Sequence, residues 1–172
     1  MPVHPQQALE VLQSNINHCA RAQDLLMQVM AEWNISVAVV AEPYFVPPLQ
    51  NWVGATNGVV ALVVPAAGGS PPLIPLETGP GYAAARWGDI VLVGVYFSPN
   101  PNHPLREFEN YLANLGGVLR RAAPAQIMLL GDLNAKSGAW GSTVTNAKGV
   151  ALEDWAATMD MAILNRGNAN TC

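Results

Sequence analysis

The sequence predicts an α/β fold because two apolar patterns alternate along its 172 residues. Short aliphatic runs bounded by turn residues are typical of buried strands, whereas apolar residues three and four positions apart are typical of helices. The predicted strands occupy residues 11–17, which alternate rather than form a run, and the aliphatic runs at 35–41, 58–65, 90–96 and 126–130. Helical spacing occurs in residues 20–33, 104–121 and 149–164.

The first quarter of the chain predicts a strand, a helix and a second strand. Residues 11–17 alternate imperfectly, as a short strand does, and the apolar side chains that follow form a helical stripe. These side chains are Ala22, Leu25, Leu26, Val29 and Met30. The buried strand at 35–41 runs directly into Glu42 and Pro43. Because a proline favours an extended backbone at the preceding residue, Glu42 is expected at a strand end.

Two further strands, residues 58–65 and 90–96, enclose a segment rich in proline and glycine at 66–81. That composition predicts a surface loop with possible flanking β-structure. The second of these strands ends at Tyr96, which is therefore another polar side chain expected at the edge of a sheet.

In the second half, the strand at 126–130 stops abruptly at Gly131, followed by Asp132 and Asn134. The period of two along a strand lets these two side chains point the same way, so that a carboxylate and an amide lie side by side. Such a pair can deprotonate a water molecule and hold a phosphate oxygen or a metal-bound water. An Asx-turn that only satisfies local backbone donors is the alternative.

Composition excludes several classes of protein. At 51% hydrophobic residues the chain fits one domain, residues 1–172. No apolar segment is long enough to cross a bilayer, and the N-terminus does not resemble a secretory signal. Two cysteines, Cys19 and Cys172, indicate reduced thiols and an intracellular location. A net charge of −4 argues against broad nucleic-acid binding, so any DNA contact must be local. The candidate cations are Arg106, Arg120, Arg121, Lys136 and Lys148.

Polar residues at several strand ends suggest one pocket. They are Asn15, Asn17, Glu42, Tyr96, Asp132 and Asn134. Two carboxylates with amide oxygens suit Mg²⁺ or Mn²⁺, whereas no cluster of His and Cys indicates zinc.

These residues resemble the endonuclease/exonuclease/phosphatase superfamily, and within it the apurinic-type endonuclease domain of insect non-LTR retrotransposons. The matching segments occur in family order and span nearly the whole chain. They are residues 12–17, 22–26, 41–44, 94–100, 131–135, 140–142 and 164–167. The resemblance implies a DNase I-like fold: a sandwich of two sheets, mixed or antiparallel, with helices outside and the active site where the strands end.

The resemblance also implies metal-binding roles. Glu42 would be the principal Mg²⁺ ligand, with Mn²⁺ as a possible substitute. Asn15 would help to place the metal or the phosphate, and Asn17 occupies a nearby position as an accessory residue.

Catalytic roles follow from the same resemblance. Tyr96 would contact the scissile phosphate, and Asp132 would orient or deprotonate the attacking water. Asn134 would hydrogen-bond that water or a phosphate oxygen as negative charge develops in the transition state.

Candidate DNA contacts lie outside this set. Trp140 lies in the glycine-rich loop beside Asp132, and Lys136 and Asn100 are further candidates. Trp52, in the loop expected after Glu42, is an alternative base-stacking residue. The other three tryptophans, Trp33, Trp87 and Trp155, are expected to pack in the core.

The implied activity is Mg²⁺-dependent nicking of target DNA. The nick would prime reverse transcription by a reverse transcriptase domain of the same polyprotein. The protein would then be nuclear when it acts on DNA. Two later family motifs are missing: an Asp near an Ile-Asp-Leu-Thr-like segment and a Ser-Asp-His. The three histidines, His4, His18 and His103, are expected to be structural. We therefore expect a domain that lacks its last strands and is weakly active when expressed alone.

Two alternative functions remain open. One is a phosphodiesterase or phosphatase of the same superfamily that acts on a lipid or inositol phosphate. The other is a catalytically inactive remnant with residual DNA binding.

Overall fold

The computed structural model describes residues 8–167. Within this range it has two mixed sheets of four strands each and three α-helices, which confirms the predicted α/β sandwich of the DNase I-like class. Contacts divide the chain into two compact units. The first holds the chain up to Tyr96 together with Pro124–Asp132, and the second holds Phe97–Ala123 and the chain from Leu133 onward.

The first unit contains every strand and one helix. In chain order its elements are β1 (Val11–Asn15), α1 (Ala20–Glu32), β2 (Val37–Ala41), β3 (Trp52–Gly54), β4 (Val60–Val63), β5 (Leu73–Gly79), β6 (Tyr82–Trp87), β7 (Ile90–Tyr96) and β8 (Gln126–Asp132). The second unit contains α2 (Leu105–Ala122), a 3-10 turn (Gly138–Trp140) and α3 (Ala147–Thr158).

The sheet topology places two pairs of parallel strand ends in register. One sheet has the order β1-β2-β4-β3, and β1 runs parallel to β2 with Asn15 beside Ala41. The other has the order β5-β6-β7-β8, and β7 runs parallel to β8 with Tyr96 beside Asp132. All other neighbouring strands are antiparallel. The residues that follow β1, β2, β7 and β8 therefore leave their sheets at the carboxyl ends of parallel pairs.

The core of the first unit lies between the two sheets. Aliphatic side chains of β2 and β4 pack against side chains of β6 and β7 in one buried cluster. Gly94 of β7 allows this close approach, because a Cβ there would lie 3.2 Å from Leu62 and 3.3 Å from Val39. A second cluster joins α1 to the other face of the first sheet through Leu26 and Met30. Sheet-on-sheet packing on one side and helix packing on the other bury β2 completely.

The second unit is built on α2 and α3. The buried face of α2 carries Phe108, Leu112 and Leu115 at helical spacing. Gly116 of α2 has the side chains of Trp155 and Met159 as neighbours. Helix α3 begins at an Asn146 cap, whose side chain accepts a hydrogen bond from the Gly149 amide.

The structure corrects several sequence-based predictions of secondary structure. Helix α3 ends at Thr158 rather than at 164, because Asp160 takes a left-handed backbone with φ of 55°. The predicted loop at 66–81 contains the seven-residue β5, and neither β3 nor β6 was predicted. Three consecutive alanines in β6 have weak strand propensity, but their complete burial between neighbouring strands overrides it.

Two tryptophan predictions were wrong. Trp33 was expected in the core but is 66% exposed at the end of α1. Trp52 was placed in a loop available to DNA but is buried in β3. Trp87 packs in the core as predicted. Leu25, part of the predicted stripe of α1, is also exposed. His4 and Cys172 lie outside the described residues, whereas Cys19 is a free, exposed thiol.

Across residues 8–167, none of the helices combines the length and the apolar character that a membrane crossing requires.

Candidate active site

Four strand ends of the first unit bring together the polar side chains of Asn15, Glu42, Tyr96 and Asp132, which we call the strand-end cluster. Asn15 and Asp132 are the last residues of β1 and β8, Tyr96 is the last residue of β7, and Glu42 follows β2 directly. Parallel pairing of β1 with β2 and of β7 with β8 fixes their positions along the sheet edges. Hydrogen bonds then join members that are far apart in the sequence.

Glu42 is held by contacts on both sides. The phenol of Tyr96 donates a hydrogen bond of 2.6 Å to Glu42 Oε1, and His18 Nε2 lies 3.7 Å from the same oxygen. The backbone of Glu42 takes a left-handed conformation with φ of 50°, while its amide donates to the Val59 carbonyl. This conformation, uncommon outside glycine and asparagine, is maintained by contacts from three segments of the chain.

The pKa of Tyr96 is raised well above its usual range. Burial is the largest cause, since the phenolate would lose its hydration; next come the hydrogen bond to Glu42 and the negative charges of Glu42 and Asp132. Tyr96 therefore remains a neutral hydrogen-bond donor at physiological pH.

Asn15 connects the two sheets. Its Nδ2 donates a hydrogen bond of 3.3 Å to Asp132 Oδ2, across a separation of 117 residues. Its Oδ1 accepts from the Asn17 amide at 2.9 Å, which is an Asx-turn. The side chain of Asn15 thus forms an Asx-turn, and the carboxylate of Asp132 accepts a long-range hydrogen bond from Asn15. Asn17 lies exposed beside Asn15 with φ of 47°.

The approach to Asp132 requires a glycine. Gly131 has φ of 142°, and a Cβ at this position would overlap the carbonyl oxygen of Val95 on the neighbouring strand. The amide of Gly131 donates to Gln13 Oε1 at 2.9 Å, so a side chain of β1 occupies a backbone donor at the edge of β8. This bond and the Asn15–Asp132 bond both link β1 to β8, and together they fix the position of Asp132.

The remaining predicted site residues belong to the second unit. Asn134 donates from Nδ2 to the Phe97 carbonyl at 2.8 Å and has φ of 48°. Trp140 is half-buried, and its indole donates to the Ala135 carbonyl. Lys136 is exposed at its side chain, while its amide donates to the cap residue Asn146. Asn100 is also exposed and accepts from the Asn102 amide in a turn.

The donor set of the strand-end cluster fits a hard divalent ion. Two carboxylates and an amide oxygen are suitable ligands for Mg²⁺ or Mn²⁺. In the described part of the chain, no group of three or more His, Cys, Asp or Glu side chains could hold a metal. A bound Mg²⁺ would therefore use few protein ligands and retain several waters, as Mg²⁺ commonly does at phosphate-processing sites.

Sequence reasoning missed three residues that shape this site: His18, Gln13 and Gln23. His18 donates from Nδ1 to the Pro43 carbonyl at 3.1 Å, because a carbonyl oxygen can only accept. Gln23 is 9% exposed and binds the backbone that follows Pro43. The only signal in the sequence was that His18 adjoins the Asn15–Asn17 segment.

Comparisons with known proteins agree with this geometry. The family described as endonuclease-reverse transcriptase matches residues 90–172, which include Tyr96, Asp132 and Asn134. Among curated proteins, none has a significantly similar sequence.

Solved structures give the clearest relatives. The endonuclease domain of TRAS1, a telomere-specific non-LTR retrotransposon, aligns with 28% identity and a TM-score of 0.75, covering 93% of this chain and 76% of that one. An AP endonuclease from Archaeoglobus fulgidus aligns with 11% identity and a TM-score of 0.64, covering 88% and 71%. A Neisseria 3′ phosphatase bound to a product DNA hairpin shares 14% identity with a TM-score of 0.60, covering 86% and 71%. The last two similarities concern the fold alone.

Proposed function

We propose that this chain is a retrotransposon-type endonuclease of the endonuclease/exonuclease/phosphatase superfamily and that it nicks DNA by Mg²⁺-dependent hydrolysis of a phosphodiester bond. The observation that carries the proposal is the convergence of Glu42 and Asp132, each with a hydrogen-bonding partner, at adjoining strand ends. Nucleases of this superfamily generally depend on a divalent metal ion.

In this proposal, Glu42 and the amide oxygen of Asn15 hold the metal. A divalent ion held by these two residues would supply charge screening for the phosphodiester and activation of a water molecule. Tyr96 holds the Glu42 carboxylate through its 2.6 Å hydrogen bond, and as a neutral phenol it adds no negative charge beside a phosphate. We propose that its one hydroxyl hydrogen passes from Glu42 to a phosphate oxygen when the substrate binds. Mn²⁺ is expected to replace Mg²⁺ because it accepts the same oxygen ligands.

Asp132 is proposed to orient the attacking water and accept its proton. The Asn15 amide donates to Oδ2 of Asp132 and so holds the carboxylate in place. Asn134 is proposed to hydrogen-bond the water or a phosphate oxygen, a role based on the family resemblance and on its place two residues after Asp132. Asn17 is proposed as an accessory residue because its amide binds the Asn15 side chain.

The proposed substrate is duplex target DNA. A nick would leave the 3′-hydroxyl that primes reverse transcription, with a reverse transcriptase domain of the same polyprotein as partner and the nucleus as the place of action. Lys136, Trp140 and Asn100 remain proposed DNA contacts, and the domain is proposed to span residues 1–172. The endonuclease domain of a telomere-specific retrotransposon among the similar structures supports this assignment.

The test measures nicking of supercoiled plasmid together with metal binding. We expect Glu42→Gln to lower the nicking rate about a hundred- to a thousandfold, the usual effect of removing one preorganised catalytic group. Isothermal titration with Mn²⁺ should show weaker binding by this variant. The control is Asp89→Asn, an exposed carboxylate in the turn before β7, which should leave both measurements unchanged.

Three results would count against the proposal. Nicking by Glu42→Gln at the wild-type rate would exclude Glu42 from the reaction. Nicking in EDTA at the rate seen with Mg²⁺ would exclude metal dependence. Hydrolysis of inositol or lipid phosphates by the wild-type chain, with intact plasmid in the same buffer, would favour the phosphatase alternative instead.

A further inference from the structure

Two aromatic side chains stand exposed immediately beyond the proposed metal ligand Glu42. Tyr44 is 62% exposed and Phe45 is 55% exposed, and they follow Glu42 by two and three residues. Large exposed aromatic rings beside one another are costly to leave in water and are enriched at binding surfaces. We call Tyr44 and Phe45 the aromatic step.

The backbone of the aromatic step is fixed by a buried glutamine. Oε1 of Gln23 accepts hydrogen bonds from the Tyr44 amide at 2.9 Å and from the Phe45 amide at 3.2 Å. Nε2 of the same side chain donates to the Phe45 carbonyl at 2.7 Å. A side chain that is 9% exposed therefore uses both its donor and its acceptor on this one segment. A buried amide fully committed in this way holds the segment in a single conformation.

A second side chain holds the preceding residue. His18 Nδ1–H donates to the Pro43 carbonyl at 3.1 Å, and Pro43 itself is buried. The segment is thus anchored at consecutive residues from the α1 side, and the exposed rings are presented by an ordered backbone. Binding to such a surface costs less conformational entropy than binding to a mobile loop.

The scarcity of basic residues in the first part of the chain favours aromatic stacking as a means of binding DNA there. Up to Tyr96 the sequence contains two basic residues, Arg21 and Arg86, so this part of the chain offers few cations for phosphate contacts. Stacking on bases needs no positive charge and tolerates any base, because every base has a π-face. Apolar wedges inserted at a base step are an established means of holding bent or opened DNA.

We propose that the aromatic step stacks on the DNA bases beside the scissile phosphodiester and holds that base step open for cleavage. Gln23 and His18 act as positioning residues that keep the two rings in place. This inference rests on the proposed nuclease function, since it assigns part of the substrate-binding surface of the same site.

The first test compares DNA affinity between variants. Fluorescence anisotropy with a labelled duplex in EDTA measures binding without cleavage. The double variant Tyr44→Ala with Phe45→Ala should bind about 5- to 150-fold more weakly, the range given by loss of one stacked base. Trp33→Ala is the matched control, because Trp33 is an exposed aromatic residue at the opposite end of α1, about 18 Å from the start of that helix. It should bind as the wild type does.

A second test separates stacking from loss of structure. Nick sites are mapped on plasmid, and duplexes spanning one site carry an abasic analogue at successive positions around it. The wild type should lose affinity at one or two of these positions, whereas the double variant should show no further loss there. Tyr44→Trp, which retains an aromatic ring, should keep wild-type affinity and the same positional profile.

The outcomes distinguish this inference from the function on which it rests. If Asp132→Asn stops nicking while the double alanine variant binds and nicks as the wild type does, the aromatic step does not contact DNA, and its exposed rings serve another surface. If the wild type does not nick DNA, or nicks as fast with Asp132→Asn, the nuclease proposal itself fails. Equal losses of affinity at every abasic position in both proteins would also overturn stacking.

Discussion

The strand-end cluster and the loop at residues 133–149 contain the same kinds of polar residue but use them differently. In the cluster, side chains meet other side chains across long sequence separations: Tyr96 binds Glu42, and Asn15 binds Asp132. In the loop, several side chains bind backbone instead: Trp140 donates to the Ala135 carbonyl, and Thr145 accepts from the Gly138 amide. Ser137 also donates to Glu153 of α3.

From this difference we infer that the cluster performs the proposed chemistry and that the loop maintains structure. A buried side chain whose pKa is raised by its burial and by neighbouring charges, as in the case of Tyr96, marks a candidate functional site. Hydrogen bonds from side chain to nearby backbone instead stabilise an irregular segment that has no sheet or helix partners of its own. We therefore expect changes in the cluster to affect the reaction, and changes in the loop to affect stability.

One glycine with no room for a side chain directly precedes Asp132 of the cluster, and another ends the loop; replacing either should have the largest effect on stability. An added Cβ would overlap the Val95 carbonyl oxygen at Gly131, and the Lys136 carbonyl oxygen at Gly149. We expect Gly131→Ala and Gly149→Ala each to lower the free energy of unfolding by about 3 kcal/mol or more, the range of severe backbone and packing conflicts. Urea denaturation followed by circular dichroism measures this.

Gly138→Ala provides the control for both substitutions, because nothing lies within 4 Å of a Cβ at that position. Its stability should remain within about 0.5 kcal/mol of the wild type. A wild-type urea midpoint for Gly131→Ala would mean that β8 approaches β7 less closely than the structure shows.

A smaller effect is expected from Asn146→Ala in the loop. The side chain of Asn146 accepts hydrogen bonds from the Gly149 amide at 2.8 Å and the Lys136 amide at 3.1 Å. Loss of such a helix cap costs about 0.5–2 kcal/mol. The melting temperature should fall, while the nicking rate per folded molecule stays at the wild-type value. A hundredfold loss of nicking with unchanged stability would break the distinction between loop and cluster.

The smallest effect is expected from Tyr96→Phe at neutral pH, where one buried hydrogen bond is lost, about 1 kcal/mol. At alkaline pH the difference in stability between the two proteins should shrink. The pKa of Tyr96 is higher in the folded protein than the value of about 10 in the unfolded chain. The contribution of Tyr96 to the free energy of unfolding is therefore fully present below pH 10. It is lost as the pH rises above 10, because the phenol of the unfolded chain ionises first. Stability of Tyr96→Phe should therefore decline less steeply above pH 10. Parallel slopes of unfolding free energy against pH would contradict the raised pKa.

Much of the fold was predictable because its central strands are continuous aliphatic runs. The predictions for β2, β7 and β8 are confirmed, since few other structures accommodate so many consecutive branched residues. Strand β6 was missed because its alanines carry no such signal, and its burial depends on partners elsewhere in the chain. Likewise, the exposure of Trp33 depends on where α1 ends against the sheet, which periodicity does not encode.

The candidate site was predictable in its members but not in its pairings. Gly131 and Pro43 mark the strand ends from sequence alone, and they led to Asp132 and Glu42. The Glu42–Tyr96 hydrogen bond joins residues 54 positions apart. The contact of Gln23 with the backbone of Tyr44 and Phe45 depends on the turn that leads the chain into α1, where Asn17 and His18 have positive φ. Local propensity contains no information about such tertiary contacts.

The most direct measurement compares Asp132→Asn with Asn146→Ala in Mg²⁺-dependent nicking of supercoiled plasmid, with the urea midpoint of each variant measured in parallel. Asp132→Asn retains the size of the side chain but removes its charge. We predict a loss of nicking of about a hundred- to a thousandfold with little change in midpoint for Asp132→Asn, and the opposite pattern for Asn146→Ala. Wild-type nicking by Asp132→Asn would show that the strand-end cluster is not the site of phosphodiester hydrolysis.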